Sequence, residues 1–314
     1  MSEKNSTIFL YATSPVHMGT DQAIGVIDNP IQRERHTGHP CFSGSGIKGA
    51  VRHAWQSLVG QASNKNEDEI DPVLLFGPES DSVNEHSGAV NFNDAQIVVL
   101  PVRSLKQGFV YATCPLALAR AKRILKSSVS SLSWNIPSSL SEGECQLINN
   151  ALLTADKLHL EAFEYSSTQG DSNILDTISG DLATYALPQD DEFVFFRDKL
   201  KRDLVILSDT DFSYFSRYAM LVEPHVRIDP NSGTAKKGGL FYSENLPPES
   251  LMIASLRTGD TRGGQQKKSS AEEVMNHLKD VLDNQLFQIG GDATTGRGLV
   301  MARVLSEGFS HANT

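Results

Sequence analysis

Asp28 and His17 are the side chains near the start of the chain best suited to moving a proton or meeting a metal. Each lies in a loop-like setting rich in glycine and proline: His17 within residues 15–19 (PVHMG) and Asp28 within residues 25–38 (GVIDNPIQRERHTG). An ionised aspartate, with a pKa ordinarily near ~3.9, could bind Mg²⁺ or accept a proton. On local sequence alone an Asx-turn ahead of Pro30 is the preferred reading of Asp28. His17 could stack on a base, shuttle a proton, or be a hydrogen-bonded structural histidine. Residues 43–49 (SGSGIKG) then place Ser43, Ser45 and Lys48 at a helix start, with Arg52 one turn on. Glycines there would let a phosphate approach backbone donors, and the lysine adds charge. The alternative is a tight turn with an ordinary cap, and the GxxxxGK[ST] spacing of a P-loop is absent.

A second glycine loop, residues 288–299 (QIGGDATTGRGL), carries Gly290, Gly291, Thr294, Thr295 and Arg297 ahead of a strand. By itself it could be only a β-turn. Arg33, Arg35 and His36 add charge beside Asp28. His36 and His39 flank Thr37 and Gly38, where a structural or RNA-facing role fits better than metal ligation. Lys236 and Lys237 sit near the tip of a long hairpin, either solvated or meeting phosphates, and Tyr242 and Glu244 at its base could enter a reactive site. The nine histidines and three cysteines never cluster at zinc-ligand spacing, so no metal ligand set is read. Neither a GxSxG elbow nor a GxGxxG fingerprint is present.

These residues need elements to hold them. Residues 7–13 read as a first strand. Residues 45–59 read as a helix capped by Ser45, with Ile47, Val51, Ala54, Trp55 and Leu58 on one stripe. Lys48 and Arg52 fall on another face, Lys48 in the first turn, where backbone N–H groups are free to bind an anion. Residues 63–87 form a polar, acidic excursion with a buried turn at Leu74, Leu75 and Phe76. Strands are expected at 90–102, 108–113, 158–165, 251–256 and 297–305, and helices from Pro115, at 191–202 and at 271–286. Residues 221–229 and 239–242 flank a hairpin tip at 230–238. Residues 262–270 read as a polar, basic loop. Strands and helices mix without a βαβαβ rhythm or an internal repeat, so the class is α+β.

At 314 residues the chain can bury a sizeable core, and its 39% hydrophobic and 21% charged residues are ordinary for a globular protein. No apolar run of about eighteen residues suggests a membrane span. Cys41, Cys114 and Cys145 lack CxxC spacing, and with no secretory signal visible a cytoplasmic location is expected. The net charge of −10 argues against indiscriminate nucleic-acid affinity. Its distribution is uneven, however. Residues 65–94 hold eight acids and one base, whereas residues 30–60 hold Arg33, Arg35, Lys48 and Arg52 against Glu34 alone.

The opening fifty residues, residues 221–247 and the glycine loop at 290–298 together resemble the RAMP superfamily, specifically the repeated backbone subunit of type III-B (Cmr) CRISPR effector complexes. The resemblance implies one RAMP domain over 1–314, with a modified ferredoxin-like (RRM-like) core, an acidic insertion at 62–95 and a protruding β-hairpin thumb within 208–247. It implies an antiviral RNA-targeting role: head-to-tail copies along a crRNA guide, beside other Cmr subunits, with Asp28 cleaving the paired single-stranded target RNA at regular intervals. A divalent cation such as Mg²⁺ is the implied cofactor. Three alternatives stay open: a non-catalytic crRNA-binding scaffold, the equivalent type III-A subunit, and a stand-alone guide-processing endoribonuclease using His17.

Overall fold

The computed structural model describes residues 3–20, 23, 25–61, 70–78, 86–138, 140–168, 172–262 and 268–306. Its centre is a βαββαβ unit: β1 (Glu3–Ala12), α1 (Gly44–Gln61), β2 (Ala95–Arg103), β3 (Leu251–Gly259), α2 (Ala271–Leu282) and β4 (Leu299–Leu305). β1 pairs antiparallel with both β3 and β4, and β3 pairs antiparallel with β2. The resulting order, β4-β1-β3-β2, is that of a ferredoxin-like sheet.

Residues 8–12 of β1 are buried without interruption because both faces of the sheet are covered. Ile8 and Leu10 point toward a core that includes Ile47, Val51, Trp55 and Leu58 of α1 and Val274, Leu278 and Val281 of α2. Phe9 and Tyr11 point the other way, toward Leu118, Leu182 and Leu200 from helices Pro115–Leu125, Ser172–Ala186 and Val194–Asp203. Beyond β2 the sheet continues through Phe109–Thr113, Leu204–Leu207, Glu144–Leu147, Phe163–Ser167 and Lys157–Leu160. No helix among the described residues is long and apolar enough to cross a membrane.

Leu221–Ile228 and Ala235–Asn245 form a separate two-stranded hairpin, entered from helix Asp209–Tyr218. Pro224 lies opposite Tyr242 in its register. Proline has no N–H to donate, but Tyr242 turns its own N–H and C=O outward, so the ladder loses nothing there. Lys236 and Lys237 belong to the second strand and are exposed; they are not part of the turn itself.

Four local expectations are corrected. Residues 158–165 are not one strand but a hairpin that turns at Glu161, whose φ is 50°. The helix from Ala271 ends at Leu282, and Gln285–Gln288 is instead a strand on β4. The run at 90–102 breaks into Val90–Phe92 and β2. The helix at 45–59 begins at Gly44 and is capped by Ser43, whose Oγ accepts from the Gly46 N–H at 3.3 Å; Ser45 is exposed within the first turn. Within residues 62–95, Pro72–Phe76 is a short helix that buries Leu74, Leu75 and Phe76, while residues 62–69 and 79–85 lie outside the described residues.

Candidate functional site

The outer edge of strand Ala235–Asn245 assembles the site. Tyr242, Glu244 and Leu246 turn their backbone groups away from the hairpin partner, and two N-terminal loops take them up. The Asn29 N–H donates to Tyr242 O (3.0 Å), and the Glu244 N–H donates to Asn29 O (2.9 Å). Val16 and Leu246 exchange both backbone bonds at 2.9 Å. On this edge the Tyr242 N–H donates to Asp28 Oδ2 at 2.8 Å. The Asp28 carboxylate is therefore not closed into a local Asx-turn. It is oriented by a strand 214 residues away, and the residue remains exposed.

His17 is bound to the same edge. Its Nδ1 lies 2.7 Å from Glu244 O, an acceptor, so Nδ1 carries a proton and donates it. A Cβ at Gly19 would stand 2.7 Å from Nε2, and glycine there leaves the ring its place. Residues two apart along a strand are spaced by roughly 7 Å. The attachment points of Asp28 and His17 thus fall about one strand repeat apart along one edge of the hairpin root.

Glu244 supports the site and does not open onto it. Its buried carboxylate accepts from the Ile31 N–H (3.0 Å) and from Arg33 Nη2 (2.5 Å). Arg33 Nη1 also donates to Gly38 O (2.9 Å) and Ser216 O (2.7 Å). Three of the five Arg33 N–H donors are thus committed to the protein. Arg35 is exposed, and His36 is exposed with Nε2 accepting from Arg120 Nη2 at 2.9 Å.

The second glycine loop docks on residues 15–17. The Gly291 N–H donates to His17 O (2.8 Å) and the Gly298 N–H to Pro15 O (2.7 Å). Gly290, at φ 76°, approaches so closely that a Cβ would lie 2.3 Å from His17 O. Thr294 and Thr295 are exposed in a single 3₁₀ turn. Arg297 pairs with Glu223 of the first hairpin strand, tying this loop to the hairpin root. Gln32 joins the His17 segment to the glycine-rich start of α1, donating from Nε2 to Gly19 O (3.1 Å) and accepting at Oε1 from the Ser43 N–H (3.0 Å). Sequence reading passes over Gln32 because nothing local marks its partners.

The start of α1 is less open to anions than its sequence suggests. Asp94 Oδ1 accepts from the Gly44 N–H at 2.7 Å, and Ser43 accepts from Gly46 and Ile47. Lys48 and Arg52 remain as half-buried cations one turn apart, with no ion-pair partner among the described residues. Burial, and then the neighbouring Arg52 charge, hold Lys48 below the ordinary lysine pKa. A phosphate would relieve the second of these. Among the described residues no three His, Cys, Asp or Glu side chains converge on a possible metal position.

A carboxylate and an imidazole on the edge of a protruding hairpin, with glycine loops behind them on a ferredoxin-like sheet, define a class that the comparisons identify. The RAMP superfamily matches residues 9–300, and the chain belongs to that family. It is 30% identical over 309 residues to the CRISPR system Cmr endoribonuclease Cmr4 of Pyrococcus furiosus, covering 96% of this chain and 97% of the relative. The fold matches the crystal structure of oligomeric Cmr4 from Pyrococcus furiosus with a TM-score of 0.70 at 25% identity, over 99% of this chain and 100% of the other. A chain of the type III-B Cmr-beta complex bound to cognate target RNA matches with a TM-score of 0.67 at 19% identity, over 96% and 97%.

Proposed function

We propose that this chain is the guide-RNA-binding backbone subunit of a type III-B CRISPR antiviral complex, and that it is itself the endoribonuclease that cuts guide-paired target RNA. Full-length similarity to a protein named as a Cmr endoribonuclease supports the activity. Similarity to an oligomeric Cmr4 supports self-assembly. A chain whose copies each offer two different surfaces would stack head to tail along the guide, beside other Cmr subunits in the cytoplasm. Lys48 and Arg52 would neutralise guide phosphates, and the exposed Thr294 and Thr295 hydroxyls and Lys236 and Lys237 would add contacts that carry no sequence information.

The observation that carries the cleavage reading is the exposed Asp28 carboxylate fixed to the hairpin root by the Tyr242 N–H. A hairpin wedged between nucleotides would interrupt the duplex and let one target ribose swing out. The 2′-hydroxyl then attacks its own phosphorus, the bond to the 5′-oxygen breaks, and a 2′,3′-cyclic phosphate and a 5′-hydroxyl result. Asp28 takes the proton from the 2′-hydroxyl, and solvent returns one to the leaving oxygen. Much of the acceleration comes from holding the attacking oxygen in line. The exposed Asp28 carboxylate, which has acceptor capacity beyond its one bond to the Tyr242 N–H, fits as this chain's donor to a divalent cation such as Mg²⁺. When bound, the ion supplies charge neutralisation at the phosphate.

The test is a product ladder from the reconstituted complex. The parent should release evenly spaced fragments. Asp28→Asn, which keeps an acceptor for the Tyr242 N–H, should assemble and bind target yet release none. A ladder from the variant would remove Asp28 from the chemistry, and no ladder from the parent would leave a scaffold.

A further inference from the structure

Helix Asp209–Tyr218 leads directly into the hairpin and carries an aromatic ridge that the site above does not use. Tyr214 and Tyr218, one helical turn apart, are 43% and 69% exposed, with ring centroids 4.7 Å apart. Phe163, 41% exposed, comes from the turn of a separate hairpin and stands edge-on to Tyr214 at 5.0 Å. Buried Phe215 lies beneath, 5.7 Å from Tyr214 and 6.0 Å from Phe163. A cleft opens on each side of the ridge, of about 420 Å³ beside Phe163 and about 530 Å³ beside the helix start, and both tyrosines line both clefts. Each cleft has one guanidinium and one carboxylate at its wall: exposed Arg103 with Glu161 in the first, exposed Arg217 with Asp209 in the second.

The ridge is also joined to the candidate site. Arg33 donates to Ser216 O, and Arg217 Nη2 donates to Thr37 O at 3.1 Å, so the helix and the loop following Asp28 are bound together. Flat π-faces open to solvent, slots on either side and guanidinium groups at the rim are the equipment that holds unpaired nucleotides, because every base has a face to stack and a phosphate to neutralise. Fully buried rings would instead be core, and scattered single rings would need no explanation.

We infer that Tyr214 and Tyr218, with Phe163, form a stacking platform for the bases of an unpaired RNA segment next to the hairpin root. The inference rests on the reading that this chain handles RNA, and it assigns these rings a contact separate from the phosphate contacts of Lys48 and Arg52.

Anisotropy of the purified full-length chain with a fluorescein-labelled, unstructured 12-nucleotide RNA tests it. Tyr214→Ala with Tyr218→Ala should weaken binding on the order of ten-fold or more, with an unchanged slope of log affinity against log salt. Tyr214→Phe with Tyr218→Phe should bind as the parent does. Tyr214→Leu with Tyr218→Leu, which keeps apolar bulk should the alanine pair fold poorly, should show the alanine defect. Parental affinity in the alanine and leucine pairs, beside a loss in Lys48→Ala with Arg52→Ala, would overturn the platform and leave RNA binding standing. A parent that binds no RNA would overturn both. Sedimentation showing lost self-association in the alanine pair at unchanged RNA affinity would make the ridge a protein interface and overturn it as well.

Discussion

Replacing Glu244 by Gln should unsettle the molecule far more than replacing Asp28 by Asn, although both are single carboxylate-to-amide changes on the same hairpin root. The Glu244 side chain is 4% exposed and that of its partner Arg33 16%. Gln retains one oxygen for the Ile31 N–H, but it presents either an NH₂ group or a neutral carbonyl to a guanidinium that cannot lose its proton. Removing one partner of such a buried pair costs about 3–5 kcal/mol. With an unfolding entropy near 2.1 cal/mol/K per residue, 314 residues give roughly 0.7 kcal/mol/K, so the midpoint should fall by about 5–8 °C. Asp28→Asn, exposed, should move it by less than about 1 °C. Thermal unfolding followed by circular dichroism reads both. Combining Glu244→Gln with Arg33→Met removes the stranded charge, so the double variant should lose less than the sum of the singles, by about 1–3 kcal/mol. Additive singles, or a Glu244→Gln midpoint within 1 °C of the parent, would show that the pair does not anchor the root.

Three further outcomes follow from the same geometry. Lys48→Ala with Arg52→Ala should weaken guide binding and lower the salt slope by about 0.7 for each lost single-strand phosphate contact, measured as affinity across a salt series. His39 is buried against Phe212, with Nε2 3.0 Å from Ser213 Oγ, and burial pushes its pKa down to about 4. The unfolded chain, titrating near ~6.5, binds that proton first, so stability should be full above pH 6.5 and fall toward pH 4. Denaturant unfolding at pH 7.5 and 5 should show the loss, reduced in His39→Gln. Gly290→Ala should lower the melting midpoint and cleavage together, since its Cβ would press on His17 O at 2.3 Å in a left-handed backbone.

Much of the βαββαβ core was legible because its signals are local: the stripe Ile47, Val51, Trp55 and Leu58, the apolar run of β1, and the hairpin framed by a polar turn. The two glycine loops and Asp28 stood out for their residue types. What joins them did not. Glu244 and Arg33 are 211 residues apart, and the Tyr242 N–H that orients Asp28 belongs to a backbone any residue could supply. The turn at Glu161 has a positive φ without glycine or proline to announce it. Leu286 continues the four-residue spacing of Leu278 and Leu282, which hides the stop at Asn284, where φ is 58°. Ser45 resembles a cap as well as Ser43 does, and Asp94, in the link between Val90–Phe92 and β2, holds the Gly44 N–H where the helix begins.

The stitching of residues 16, 17, 28 and 29 to the hairpin's inner end divides that arm into two parts with different freedoms. Close to the body, every residue from Tyr242 to Leu246 is committed, so an insertion there would drag the carboxylate out of register. Farther out, from Val226 to Lys237, nearly every side chain faces solvent. That portion can lengthen, shorten or change composition without disturbing the acid at its foot, which makes reach and reactivity separately adjustable in one continuous ribbon.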